Sequence, residues 1–167
     1  YDFGRINTGI LYDNLMNKFV WGNIKDPKVN IDHFHDNTIA VMKYRNTFLR
    51  LAEQLMQEAA TETRVMGDTI INEITDSTKI QEAIRVLDKS LEEIPLYQVP
   101  ADFFLLNYIS IYYAAGEKEK GNDLAWALAL DNAQMLRYIG SLSQNRRKAL
   151  GNDERRSMQA LQMLVDM

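Results

Sequence analysis

Apolar residues recur three and four positions apart over most of this chain, and few helix breakers interrupt them. In Tyr44, Phe48, Leu51, Ala52, Leu55 and Ala59 the steps are four, three, one, three and four, which trace one face of a helix. Ile80, Ala83, Ile84, Leu87, Leu91 and Ile94 trace a second such face. Thr78 and Gln81 have the spacing of a capping box, each side chain bonding the other's free amide, and predict a helix start there. Pro95 ends that helix. From Phe103 to Ala115 apolar residues lie on every side, which predicts a helix surrounded by others, with Gly116 as its C-terminal cap. The stripe Gly121, Leu124, Ala125, Leu128, Met135 and Ile139 predicts a helix from Glu117 to about Leu142. Asn152 or Asp153 is expected to cap a last helix, with Met158, Leu161, Leu164 and Val165 turned inward. Near the start, Asn7 or Thr8 caps a short helix through Phe19, and Trp21 to Asp32 reads as a loop. Alternation of period two is scarce, so almost no sheet is expected.

The small residues within these faces follow the steps of a helical repeat. Tetratricopeptide units pack two antiparallel helices with small side chains where the backbones cross closely. Ile109, Tyr112, Gly116, Gly121, Ala125 and Leu128 match the steps of one unit, with Ile109 and Leu128 larger than the pattern usually has. Ala52, Leu55 and Ala59 open another, and Ala83, Leu87, Ser90 and Pro95 close it. Between Ala59 and Ala83 lie 24 steps where the repeat expects five. Without that excess, Ala52 and Ile109 stand about one 34-residue repeat apart. The first unit is therefore expected to be split by an insertion at about 60–77. Its apolar residues Val65, Met66, Ile70, Ile71 and Ile74 are expected to form a helical extension or an added helix, with a covered face. An unrelated helical bundle is the alternative. Trp126 and Leu130 lie on a different face from Leu124 and Leu128, so that helix needs two partners. The last helix is the expected second partner, an interface with another chain the alternative.

Composition narrows the function classes. The chain has 167 residues, 46% of them hydrophobic and 25% charged, as in an ordinary globular protein. Its net charge of −4 and pI near 5.2 lack the broad positive field that nucleic acid requires. Without cysteine there is no disulfide, thiolate nucleophile or Cys-ligated zinc. Residue 1 is Tyr and no signal segment follows, which is expected of a processed protein or an excised piece. The longest strongly apolar stretch without a charge, 14 residues from Phe103 to Gly116, is shorter than the roughly 20 that a membrane-spanning helix needs.

A family resemblance rests on particular blocks. They are Phe19-Val20-Trp21-Gly22-Asn23 with Asp26-Pro27, Val29 and Asp32, then Arg45-Asn46-Thr47-Phe48-Leu49-Arg50-Leu51-Ala52. Val99-Pro100 and Tyr112-Tyr113-Ala114-Ala115-Gly116-Glu117-Lys118-Glu119-Lys120 follow. In these the chain resembles the C-terminal soluble, tetratricopeptide-like region of a family of bacterial multi-pass membrane proteins. Their membrane part is similar to a lipid-sugar-dependent glycosyltransferase of the protein O-mannosyltransferase type. The Trp-Gly-Asn block is the distinctive one, and the insertion at 60–77 departs from the family pattern. The resemblance implies that any catalysis belongs to the membrane part, so no catalytic residue carries over. It also implies a soluble domain of a membrane-anchored bacterial protein, on the periplasmic side.

The side chains able to carry chemistry are few. In Asp32-His33-Phe34-His35-Asp36 the His-x-His spacing points two imidazoles to one side of an extended strand, so His33 and His35 are metal candidates. The chain has only these two histidines, whereas a structural zinc site needs four ligands, and Asp36 serves equally as a helix cap. Glu92-Glu93 and Asp153-Glu154 are adjacent pairs pointing about 100° apart on a helix, which cannot flank a glycosidic bond and reads as solvated surface. No phosphate loop, nucleophile elbow or His-Glu-x-x-His motif occurs. Arg137 to Arg156 carries six cations against two carboxylates. Within it Arg146, Arg147, Lys148, Arg155 and Arg156 form a candidate contact for an anionic lipid surface, or a solvated loop with weak ion pairs.

The expected fold is all-α, antiparallel helix pairs stacked as tetratricopeptide-like repeats. Residues 1–35 form an N-terminal extension, 36–142 the two units and 143–167 a C-terminal capping helix. The expected function is a non-catalytic interaction or accessory domain that binds a peptide, a protein or the membrane part of its own parent, without a cofactor. A soluble all-α enzyme with a cleft between helices is the alternative, recognisable by polar groups converging in a pocket.

Overall fold

The computed structural model describes residues 6–32, 40, 43–66, 69–74 and 76–167. The fold is all-α, with one small hairpin between two of its helices. In chain order the elements are α1 (Thr8–Asp13), running into a π-helical turn at Asn14–Lys18, α2 (Asn46–Ala59), β1 (Ala60–Met66), β2 (Thr69–Ile74) and α3 (Ser77–Glu93). Then follow α4 (Phe104–Ala114), α5 (Lys118–Ser141), α6 (Gln144–Ala149) and α7 (Gly151–Val165). The chain gathers into two compact units, Tyr1–Val99 and Pro100–Met167.

In the first unit α2 packs along α3, α1 lies on α2, and the π turn reaches α3. The α2 face predicted from its spacing is the buried one, with Phe48, Leu51, Ala52, Leu55 and Ala59 almost fully enclosed. Ala83, Val86 and Leu87 meet it from α3. Asn7 caps α1 by accepting from the Ile10 N–H at 3.0 Å, as its position predicts. The start of α3 corrects the capping-box expectation at Thr78. Asp76, two residues earlier, is the cap, and its carboxylate accepts from the N–H groups of Thr78 (2.9 Å) and Lys79 (3.4 Å).

The insertion expected at about 60–77 forms strands over most of its length, not the helical extension or added helix. Residues 60–74 form an antiparallel hairpin in which Ala60 pairs with Ile74 and Met66 with Thr69. Only Gly67 and Asp68 lie between the strands, and the β-branched run of Thr and Ile residues favours extended backbone over helix. The Asp76 N–H donates to the Ala59 carbonyl at 3.3 Å, and Lys79 meets Glu58 at 3.6 Å. The hairpin therefore leaves the end of α2 beside the start of α3.

In the second unit α4 packs on α5, α7 packs on α5 and α4, and α6 lies against α7. Buried Leu105, Leu106, Tyr108, Ile109, Ile111 and Tyr112 surround most of α4, in keeping with its all-round apolar sequence. Gly116 has φ +84°. Its N–H bonds the Tyr113 carbonyl (3.1 Å), while the Glu117 N–H reaches the Tyr112 carbonyl (2.8 Å), the paired bonds of a Schellman cap. Gly121 sits where α5 crosses α4. A β-carbon there would lie 2.5 Å from Tyr113 Cε1, because the Tyr113 ring packs directly over the glycine. The last helix starts without a side-chain cap, contrary to the expectation for Asn152 or Asp153, because the short α6 and Leu150 lead directly into it.

Candidate functional site

Two groups of side chains stand out, one interior to the first unit and one on the surface of the second. The interior group is built by the loop after α1. Gly22 and Asn23 both adopt left-handed backbone, φ +62° and +58°, and the Ile24 N–H closes the turn on the Trp21 carbonyl at 3.3 Å. Glycine and asparagine enter this region at little steric cost. The turn drives the Trp21 indole inward, where its ring centroid lies 5.0 Å from Phe48 and 5.4 Å, edge-on, from Tyr44. Only 8% of Trp21 is exposed.

Arg45, immediately before α2, is fully buried. Its Nη2 donates to the carbonyls of Ile94 (3.1 Å) and Val99 (2.7 Å). Ile94 caps the C-terminus of α3, where carbonyls lack helical partners and the helix dipole favours a cation. Gln98 completes the lock, since its Nε2 lies within hydrogen-bond distance of the carbonyls of Ile24, Asp26 and Val29. Tyr97 donates its hydroxyl to the Lys25 carbonyl at 2.7 Å. Sequence alone assigns Arg45 nothing beyond its place in the resemblance block and Gln98 no role, because an Arg before a helix and a Gln near a proline look like surface residues.

Glu93 corrects the reading of Glu92-Glu93 as solvated surface. Its carboxylate is buried between Lys25 at 2.9 Å and Lys89 at 2.7 Å. Burial pushes this carboxyl upward, but the two ammonium groups outweigh it and hold it below the ordinary glutamate value. These residues tie the loop after α1 and the segment after α3 to the helices of the first unit.

The surface group lies on the outward side of α5. Leu124, Leu128 and Ile139 face inward, while Trp126 is 73% and Leu130 49% exposed. This overturns the expectation that the last helix covers them: α7 packs on α5 but leaves that face open. Tyr138 on α5 and Met158 on α7 are likewise exposed. Of the basic candidates, Arg147 is paired with Glu154 across the α6–α7 junction. Arg146, Lys148, Arg155 and Arg156 are exposed, and none of these four is in an ion pair among the described residues. Thus the structure gathers all five cations on α6 and the first turns of α7 but neutralises one of them.

His33 and His35 lie outside the described residues. Among the described residues no group of three or more metal-ligating side chains comes together, and no helix is long and apolar enough to cross a membrane. No protein-family model, curated protein or solved structure matches the chain.

Proposed function

We propose that this chain is a non-catalytic interaction or accessory domain of a larger, membrane-anchored bacterial protein resembling a glycosyltransferase, placed on the periplasmic side. Its helix pairs α2–α3 and α4–α5 are read as tetratricopeptide-like units. The fully buried small residues Ala52, Ala59 and Ala83, and Gly121 under the Tyr113 ring, support that reading. The observation that carries the interaction role is the outward face of α5, where a tryptophan and a leucine one turn apart meet solvent instead of a core. Exposed aromatic and aliphatic side chains at helical spacing are what an interface uses as anchors.

The complete reading frame tests this. Several membrane spans encoded upstream of residue 1 are expected, and a frame without them overturns the membrane parent. A second reading, contact with an anionic lipid surface, is supported by the exposed Arg146, Lys148, Arg155 and Arg156. Each cation near such a surface contributes about 1 kcal/mol. Co-sedimentation with anionic vesicles that weakens in Arg155→Gln/Arg156→Gln supports it, and equal sedimentation of both proteins removes it.

A further inference from the structure

The outward face of α5 has an order that a general contact surface does not require. Glu119, Asp123, Trp126, Leu130, Ala133 and Arg137 are all exposed and follow one another at steps of four, three, four, three and four. That spacing keeps them in one stripe along about 27 Å of helix. It is also symmetric about position 128. Reversal of the helix direction brings Glu119 opposite Arg137, Asp123 opposite Ala133 and Trp126 opposite Leu130. Asn122 and Gln134, exposed at the stripe's edge, exchange places in the same way.

We propose that the partner of this face is a second copy of the chain, with two α5 helices packed antiparallel about a two-fold axis level with Leu128. The proposal rests on the reading of the α5 face as a contact surface and names its occupant. A two-fold interface must be self-complementary, and this stripe is: acidic at one end, apolar in the middle, basic at the other. Each Trp126 packs on the partner's Leu130, and small Ala133 leaves room opposite Asp123. Glu119 and Asp123 repel one another at i,i+4 within a single helix, and a guanidinium brought over that end relieves the repulsion. The same two carboxylates argue against an anionic membrane as the occupant, because they would be pressed onto like charge. A single helix pair of this length buries less than a standard interface, so the dimer forms at raised concentration and weakens with salt.

Sedimentation velocity of the 167-residue chain, from micromolar to millimolar concentration at low and high salt, tests the pairing. A monomer–dimer equilibrium is expected, with the dimer favoured at low salt. Arg137→Glu and Glu119→Arg each place like charges opposite one another and are expected to weaken association by about tenfold or more. The double variant restores the pair and is expected to recover most of that loss. Trp126→Ala is expected to abolish association while its circular dichroism stays helical. A monomer at every concentration overturns the proposal, as does association indifferent to the single charge reversals or not recovered by the double variant. A monomer whose tryptophan emission shifts to the blue only on vesicles assigns the face to a membrane, which also overturns the pairing. None of these results alters the test of the membrane parent, which reads the upstream frame.

Discussion

The indole of Trp21 and the guanidinium of Arg45 both hold the first unit, one through ring packing and the other through carbonyls. Trp21→Ala removes a ring enclosed by Tyr44 and Phe48 and is expected to cost about 3–5 kcal/mol in urea denaturation. Arg45→Met keeps the bulk but leaves the Ile94 and Val99 carbonyls without this donor, an expected loss of roughly 2–5 kcal/mol. A loss below about 1 kcal/mol in either variant contradicts the role given to that residue. In the second unit Gly121→Ala drives a methyl group into the Tyr113 ring, and overpacking of this kind costs about 1–3 kcal/mol. In a Tyr113→Ala background that cost is expected to vanish, which a double-mutant cycle measures. A Trp followed by Gly and Asn is a sequence signal for an aromatic beside a left-handed turn, and that turn is present at Gly22 and Asn23. The role of Arg45 was not legible, because a buried cation is recognised only by the carbonyls that surround it, and these lie 49 and 54 residues away.

At the scale of elements, the helical faces of α2 and α3 emerged from spacing alone, because each buries one side and leaves the other to solvent. The hairpin did not, because Met66, Ile70 and Ile74 also satisfy a helical period over so short a run, and only the β-branched residues flanking Gly67-Asp68 signal strands. Its removal is a direct test of the split repeat. Since the end of α2 already touches the start of α3 at Ala59 and Asp76, deletion of 61–74 with Asp76 retained is expected to leave cooperative helical unfolding, within about 1 kcal/mol of the parent. A deleted chain that no longer folds contradicts the split-repeat alignment. The Lys25–Glu93–Lys89 cluster ties the loop after α1 to the last turn of α3 and makes stability depend on pH. With the Glu93 carboxyl held below its unfolded value of about 4.3, the unfolded chain binds more protons in that range. The cluster's contribution is complete above it and is lost as pH falls through the folded value. Glu93→Gln is therefore expected to be less stable at neutral pH and to lose less on acidification, as denaturation series at about pH 7 and about pH 3 will measure. Identical acid sensitivity in both proteins contradicts this account.

At the scale of the whole molecule, the chain divides its chemistry unevenly. In the first unit Arg45, Glu93 and Gln98 bind its own chain, while the second leaves an apolar stripe and most of a basic cluster at its surface. Sequence spacing showed that α5 has two apolar faces but not which of them lacks a neighbour, since that depends on where α7 docks. We propose that these residues make contacts and that any catalysis of the proposed membrane-anchored parent resides outside them. If the complete reading frame encodes the proposed membrane part, sugar transfer from a lipid-linked donor to a minimal acceptor is assayed in that part and in the 167-residue chain. Turnover in the proposed membrane part and none in the 167-residue chain is the expected result. Turnover by the isolated chain, or its abolition in the membrane part when these residues are removed, would contradict it.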